Sequence, residues 1–188
     1  FDTVSAGTAV GTDTDSTRAL VLGDVDGDGD LDVIAGNSGQ SNKLYLNDGA
    51  GEPFNTVGAG TAVGTGANFT LALALGDVDG DGDLDVAAGN IGQTSKLYLN
   101  DGVGARFDTA GAGMALGTDM NDTRSIALGD VDGDGYLDVA CGNTGFANKL
   151  YLNDRVGAPF DGAGDGTVIG TNTDNARAIV LADVDGDG

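Results

Sequence analysis

Histidine and tryptophan are absent from this 188-residue chain, which also holds one cysteine, two prolines and a single glutamate, Glu52. Without His, and with no Ser or Cys set beside a base, the familiar activated-nucleophile arrangements are excluded. One thiol, Cys141, cannot form an intrachain disulfide. It stands where Ala35 and Ala88 stand in equivalent stretches, and reads as a small buried hydrophobe rather than a reactive group. Aromatic residues make up only 5%, so any core must be thin and built from Val, Leu, Ala and Gly. No membrane-spanning apolar run and no signal-peptide pattern are visible. No segment repeats its apolar residues every 3.6 positions, so no helix is expected. Eight basic residues against 30 acidic ones leave no surface suited to phosphates, which excludes nucleic acid as a partner.

The acidity is concentrated. Of the 30 acidic residues, 17 fall in four DxDxDG segments, leaving 13 acids against eight bases elsewhere. The first segment places Asp24, Asp26, Asp28, Asp30 and Asp32 at loop positions 1, 3, 5, 7 and 9, with Gly29 at position 6. A hard cation such as calcium takes six to eight oxygens, and an alternating acidic loop curled by a glycine supplies them. Carboxylates of Asp24, Asp26 and Asp28, the main-chain carbonyl of Asp30 and a closing Asp32 are the expected ligands. The pattern recurs at Asp77, Asp79, Asp81, Asp83 and Asp85, and at Asp130, Asp132, Asp134, Tyr136 and Asp138. Tyr136 replaces Asp only at position 7, where the expected ligand is the main chain. A fourth copy, Asp183, Asp185 and Asp187, lacks positions 7 and 9 and should bind poorly or not at all. An EF-hand is excluded, because Ala35 occupies position 12 and a β-type run follows the loop.

The loops recur at 53-residue intervals, as do Phe1, Phe54, Phe107 and Phe160 and the Leu-Tyr-Leu-Asn-Asp runs that begin at Leu44, Leu97 and Leu150. The chain therefore reads as one repeat domain, residues 1–188, divided into 1–53, 54–106, 107–159 and a partial 160–188. Four strands are expected per unit: Arg18 to Gly23, Leu31 to Ala35, Lys43 to Asn47, and a weaker one from Phe54 to about Val63. Four strands in about 50 residues is the size of a propeller blade.

These residues resemble the FG-GAP/VCBS repeats of integrin-α-like β-propellers and of secreted bacterial proteins. Phe-Asp or Phe-Asn stands here for Phe-Gly, and Ala-Gly-Asn or Cys-Gly-Asn for Gly-Ala-Pro, which is nearer the bacterial style. The resemblance implies an all-β propeller of four-stranded antiparallel blades, seven to a ring, with calcium between the innermost strand and the next. About three and a half blades are present, and the chain begins at Phe1 rather than Met. It therefore reads as a fragment of a longer propeller, whose open edges invite self-association.

The basic residues keep register too. Lys43, Lys96 and Lys149 share one repeat position, and Arg18, Arg124 and Arg177 another. In an up-and-down blade both lie on the rim opposite the metal loops, as do Asn37, Asn90 and Asn143. That face is the candidate ligand surface, for a carbohydrate or an acidic group. The alternative is that each base pairs with a nearby Asp and only solvates the rim. The connections at 13–18, 66–71, 119–124 and 172–177 reach that face. The expected function is that of a secreted, calcium-stabilised binding module for a glycan or an extracellular protein, lectin-like or adhesive. Calcium-dependent sites of modest affinity suit extracellular fluid. A polysaccharide-degrading enzyme on the same scaffold and a structural filament are the alternatives. Asn68 and Asn121 begin glycosylation sequons.

Overall fold

The structure, a computed structural model, describes residues 8–50, 53–54, 57–102, 107, 110–154, 159–160, 164–171, 173 and 175–184. Among these residues the chain forms strands and no helix. The strands are β1 (Thr17–Gly23), β2 (Asp32–Tyr45), β3 (Thr61–Gly76), β4 (Asp85–Asn90), β5 (Lys96–Tyr98), β6 (Met114–Ala115), β7 (Asp122–Gly129), β8 (Asp138–Thr144), β9 (Asn148–Tyr151) and β10 (Thr167–Ile169). Every pairing is antiparallel. The strand orders are β1-β2-β3-β4-β5-β6, in which β3 is shared by two sheets, and β10-β9-β8-β7, a third sheet; among the described residues none closes on itself.

The repeats are visible in the register. Gly23 pairs with Asp32, Gly76 with Asp85 and Gly129 with Asp138, so each acidic loop joins the first two strands of its unit. Strand boundaries depart from expectation where tertiary pairing intervenes. In the first repeat the second and third strands merge as β2, because Ser38 and Gln40 pair with Phe69 and Asn68 of β3. β3 itself passes from one sheet into the next. Its residues up to Phe69 pair with β2, and Thr70–Gly76 pairs with β4.

The fourth strand does not start at Phe54 but at Thr61. Phe54, Phe107 and Phe160 have φ of 61°, 62° and 63°, a left-handed conformation that turns the chain instead of extending it. The Phe54 carbonyl accepts the Val57 N–H, and that of Phe107 accepts the Ala110 N–H. In the fourth copy, residues 176–182 match β1 but form no strand. Ile179 docks there by donating its N–H to Ser125 Oγ at 3.0 Å.

The interior lies in layers between neighbouring sheets. Side chains alternate across a strand, so Ile34 meets Val86, Ala88 and Tyr98 on one face of β4. Ala87, on the other face, joins Val139, Cys141 and Tyr151. β4 is consequently buried along its whole length. Glycine lets the layers approach. A Cβ on Gly76 would lie 2.6 Å from Leu137 Cδ1 and 3.0 Å from Leu128 Cδ1, and Gly23 stands in the same relation to Leu75 and Leu84.

Candidate metal centre

The acidic loops are curled by their own side chains. Gly27 N–H donates to Asp24 Oδ1 at 2.8 Å and Gly29 N–H to Asp24 Oδ2 at 3.0 Å. Further along, Asp30 N–H donates to Asp28 Oδ1 at 2.9 Å. Loops two and three repeat these bonds around Asp77 and Asp130. Gly29, Gly82 and Gly135, at position 6, have φ of 96°, 98° and 91°, where a side chain would strain the backbone.

Each loop brings three carboxylates together. Oxygens of Asp24, Asp26 and Asp32 lie within 4.8 Å of one another, as do those of Asp77, Asp79 and Asp85 and those of Asp130, Asp132 and Asp138. Positions 1, 3 and 9 therefore converge. Asp28, Asp81 and Asp134 at position 5 stand outside these triads, and each accepts the N–H of position 7 on its Oδ1. At position 7, a Cβ on Gly49 would overlap the Asp30 carboxylate, and one on Gly102 that of Asp83. Those side chains lie against the following turn. Asp183 is exposed, and Asp185 and Asp187 lie outside the described residues.

Asp32, Asp85 and Asp138 are fully buried. The two oxygens of Asp85 accept N–H groups from Asn100 at 2.9 Å and Val78 at 2.8 Å. Asp32 is held alike by Asn47 and Val25, and Asp138 by Asn153 and Val131. A carboxylate oxygen has two lone-pair directions, so each retains one for a cation. Burial raises the Asp85 pKa to about 7; the two N–H bonds pull it down and the charges of Asp79 and Asp81 push it up. Burial likewise raises Asp32, Asp79 and Asp138. Carboxylates this close repel unless protons or a cation lie among them. The donor set is entirely oxygen, which fits a hard divalent cation.

Asn47, Asn100 and Asn153, the asparagines of the Leu-Tyr-Leu-Asn-Asp runs, belong to the site as well. Asn100 Nδ2 donates to the Val25 carbonyl at 3.0 Å and Asn153 Nδ2 to the Val78 carbonyl at 2.8 Å, each in the loop of the preceding repeat. Their recurrence at the 53-residue interval was the available signal.

On the rim away from the loops, Lys43, Lys96 and Lys149 each donate from Nζ to a main-chain carbonyl, those of Gly60, Gly113 and Asp165. Lys149 also pairs with Asp119 at 3.1 Å. The amides expected to face a ligand there are internal: Asn37, Asn90 and Asn143 are buried. Their carbonyls accept from Thr17, Thr70 and Thr123, and their Nδ2 groups seal the adjacent turns. Arg18 and Arg124 fall at register irregularities of their strands. Arg18 and Arg177 are exposed and Arg124 half-buried. Asn68 Nδ2, the atom a glycan would occupy, donates to Tyr98 Oη at 2.8 Å. A half-open cavity of about 330 Å³ lies beside loop two, lined by Asp79, Asp81, Leu99, Asn100, Asp101 and Met114 among others.

Sheets stacked at a fixed sequence step, each carrying an acidic triad between its first two strands, define an all-β repeat protein with one cation-competent loop per repeat. The chain belongs to the FG-GAP-like repeat family, which matches residues 24–88, 77–141 and 130–188. The three matches begin at Asp24, Asp77 and Asp130, the first residue of each loop. No curated protein matches it. Among the described residues no helix is long and apolar enough to cross a membrane.

Proposed function

We propose that residues 1–188 form one calcium-stabilised repeat domain, a segment of a β-propeller, serving outside the cell as a binding module for a glycan or a protein. Calcium is held at three loops, by Asp24, Asp26 and Asp32 and their counterparts, with position 5 and the position 7 carbonyl completing the shell. The observation that carries this reading is the triad built three times in the same geometry. Membership of the FG-GAP-like repeat family supports it. Four-stranded blades, and a seven-bladed ring for the parent, follow from that family likeness. Calcium in extracellular fluid is abundant enough for sites of this kind.

Arg18, Arg124 and Arg177 are the side chains best suited to an acidic group of a ligand, since among the described residues none is engaged in an ion pair. The lysines of the same rim contribute less, being tied to carbonyls. The open faces of the outermost sheets also favour self-association. The test is thermal melting with and without chelator, alongside calcium counting by native mass spectrometry. Three ions per chain and a sharp, calcium-reversible fall in Tm are expected. An unchanged melt in excess chelator would sink the metal assignment. Binding to a glycan array that weakens in Arg18→Ala and Arg124→Ala would support the ligand face.

A further inference from the structure

Asn100 and Asn153 each touch two metal loops. Asn100 donates its backbone N–H to Asp85 Oδ1, a member of the second triad, and its side-chain amide to the Val25 carbonyl, 75 residues earlier. Asn153 does the same with Asp138 and Val78. Both asparagines are buried, at 0% and 3% exposure.

Val25 stands between Asp24 and Asp26, and its own N–H donates to Asp32 Oδ2 at 2.8 Å. The residue that Asn100 grips therefore sets the backbone from which two carboxylates of the first triad hang, and bonds directly to the third. Val78 occupies the same place among Asp77, Asp79 and Asp85. A continuous run of buried hydrogen bonds thus leads from the third triad to the second and from the second to the first.

We propose that Asn100 and Asn153 are positioning residues that couple the cation sites, so that filling one loop raises the affinity of its neighbours. The inference rests on the calcium reading above. A cation in the second loop holds Asp85, and Asp85 holds the Asn100 backbone. The Asn100 amide then keeps Val25 where the first triad needs it. Losing that arrangement leaves the Val25 carbonyl without a buried partner, which is costly. Coupling between binding sites is reciprocal, so the first loop supports the second to the same degree. Direct repulsion between neighbouring divalent ions acts with the opposite sign. The sign of the interaction therefore separates the two effects.

Asp79→Asn removes one carboxylate from the second triad while leaving Asp85, Asn100 and Asn153 intact. Calcium is titrated into the full chain by calorimetry, with bound ions counted by native mass spectrometry. The wild type should bind three ions. The variant should bind two, both weakened by about fivefold or more. Sites that keep or exceed wild-type affinity would overturn the coupling. In Asn100→Ala the first site should weaken, and adding Asp79→Asn should weaken it no further. If Asn100→Ala fails to fold, Asp79→Asn decides the matter alone. A wild type that binds no calcium overturns the calcium reading itself, whereas three ions bound independently overturn only the coupling.

Discussion

Asp85 is subject to two opposed demands: it must be charged to hold a cation, yet it is buried where a charge is costly. Its pKa of about 7, against an ordinary 3.8, means that the metal-free folded protein keeps a proton which the unfolded chain has already released between those values. Stability without metal should therefore be greatest below about pH 4 for this group and be lost as pH rises through 7. Asp32 and Asp138 are displaced in the same direction. Calcium replaces the proton, so its contribution should grow over the same window. Melting temperatures taken from pH 5 to 8 should fall in chelator, while the gain on adding calcium widens. A chelated protein that becomes more stable with rising pH would contradict this. Cys141 also sits at a buried position; there burial lifts the thiol to about 12 and leaves it inert, as its place in the repeat indicated.

The strands show where sequence was a good guide and where it was not. Loop ends, the position 6 glycines and the converging positions 1, 3 and 9 all follow from short-range spacing, and all were legible. Phe54 was not, because a bulky aromatic gives no local sign that its φ will be positive. The merging of β2 was hidden as well, since it depends on Phe69 and Asn68 arriving alongside from a distant part of the chain. Asn100 recurs plainly in the sequence, but its partner Val25 lies beyond any local pattern. Asn37 looked like a rim amide and proved internal, since only the folded turn brings Thr17 and Ser41 to it. Packing between sheets gives a test at this scale. Gly76→Ala would press against Leu137 and Leu128 and should cost about 1–3 kcal/mol, as overpacking commonly does. Equilibrium denaturation in saturating calcium measures it, and a cost near zero would mean that the sheets are less tightly stacked than described.

Across the whole molecule the repeats are alike in sequence but not in surroundings. Leu73 and Leu75 pack against the first layer of the interior, whereas their counterparts Leu20 and Leu22 are 64% and 59% exposed. Leu31 is 56% exposed, while its counterpart Leu84 approaches Gly23. An apolar face of this kind favours contact with another sheet of the same make. Sedimentation velocity should show concentration-dependent association, reduced in Leu22→Lys. An exposed site of this sort should leave folding stability within about 0.5 kcal/mol. A wild type that remains monomeric at every concentration reached would argue against the contact.

The two asparagine contacts between repeats run one way, from a later copy back to an earlier loop. A ribosome delivers the chain in the opposite order, so each loop is made before the residue that locks it and waits through 75 residues of synthesis. The first two repeats are thus each finished by their successor.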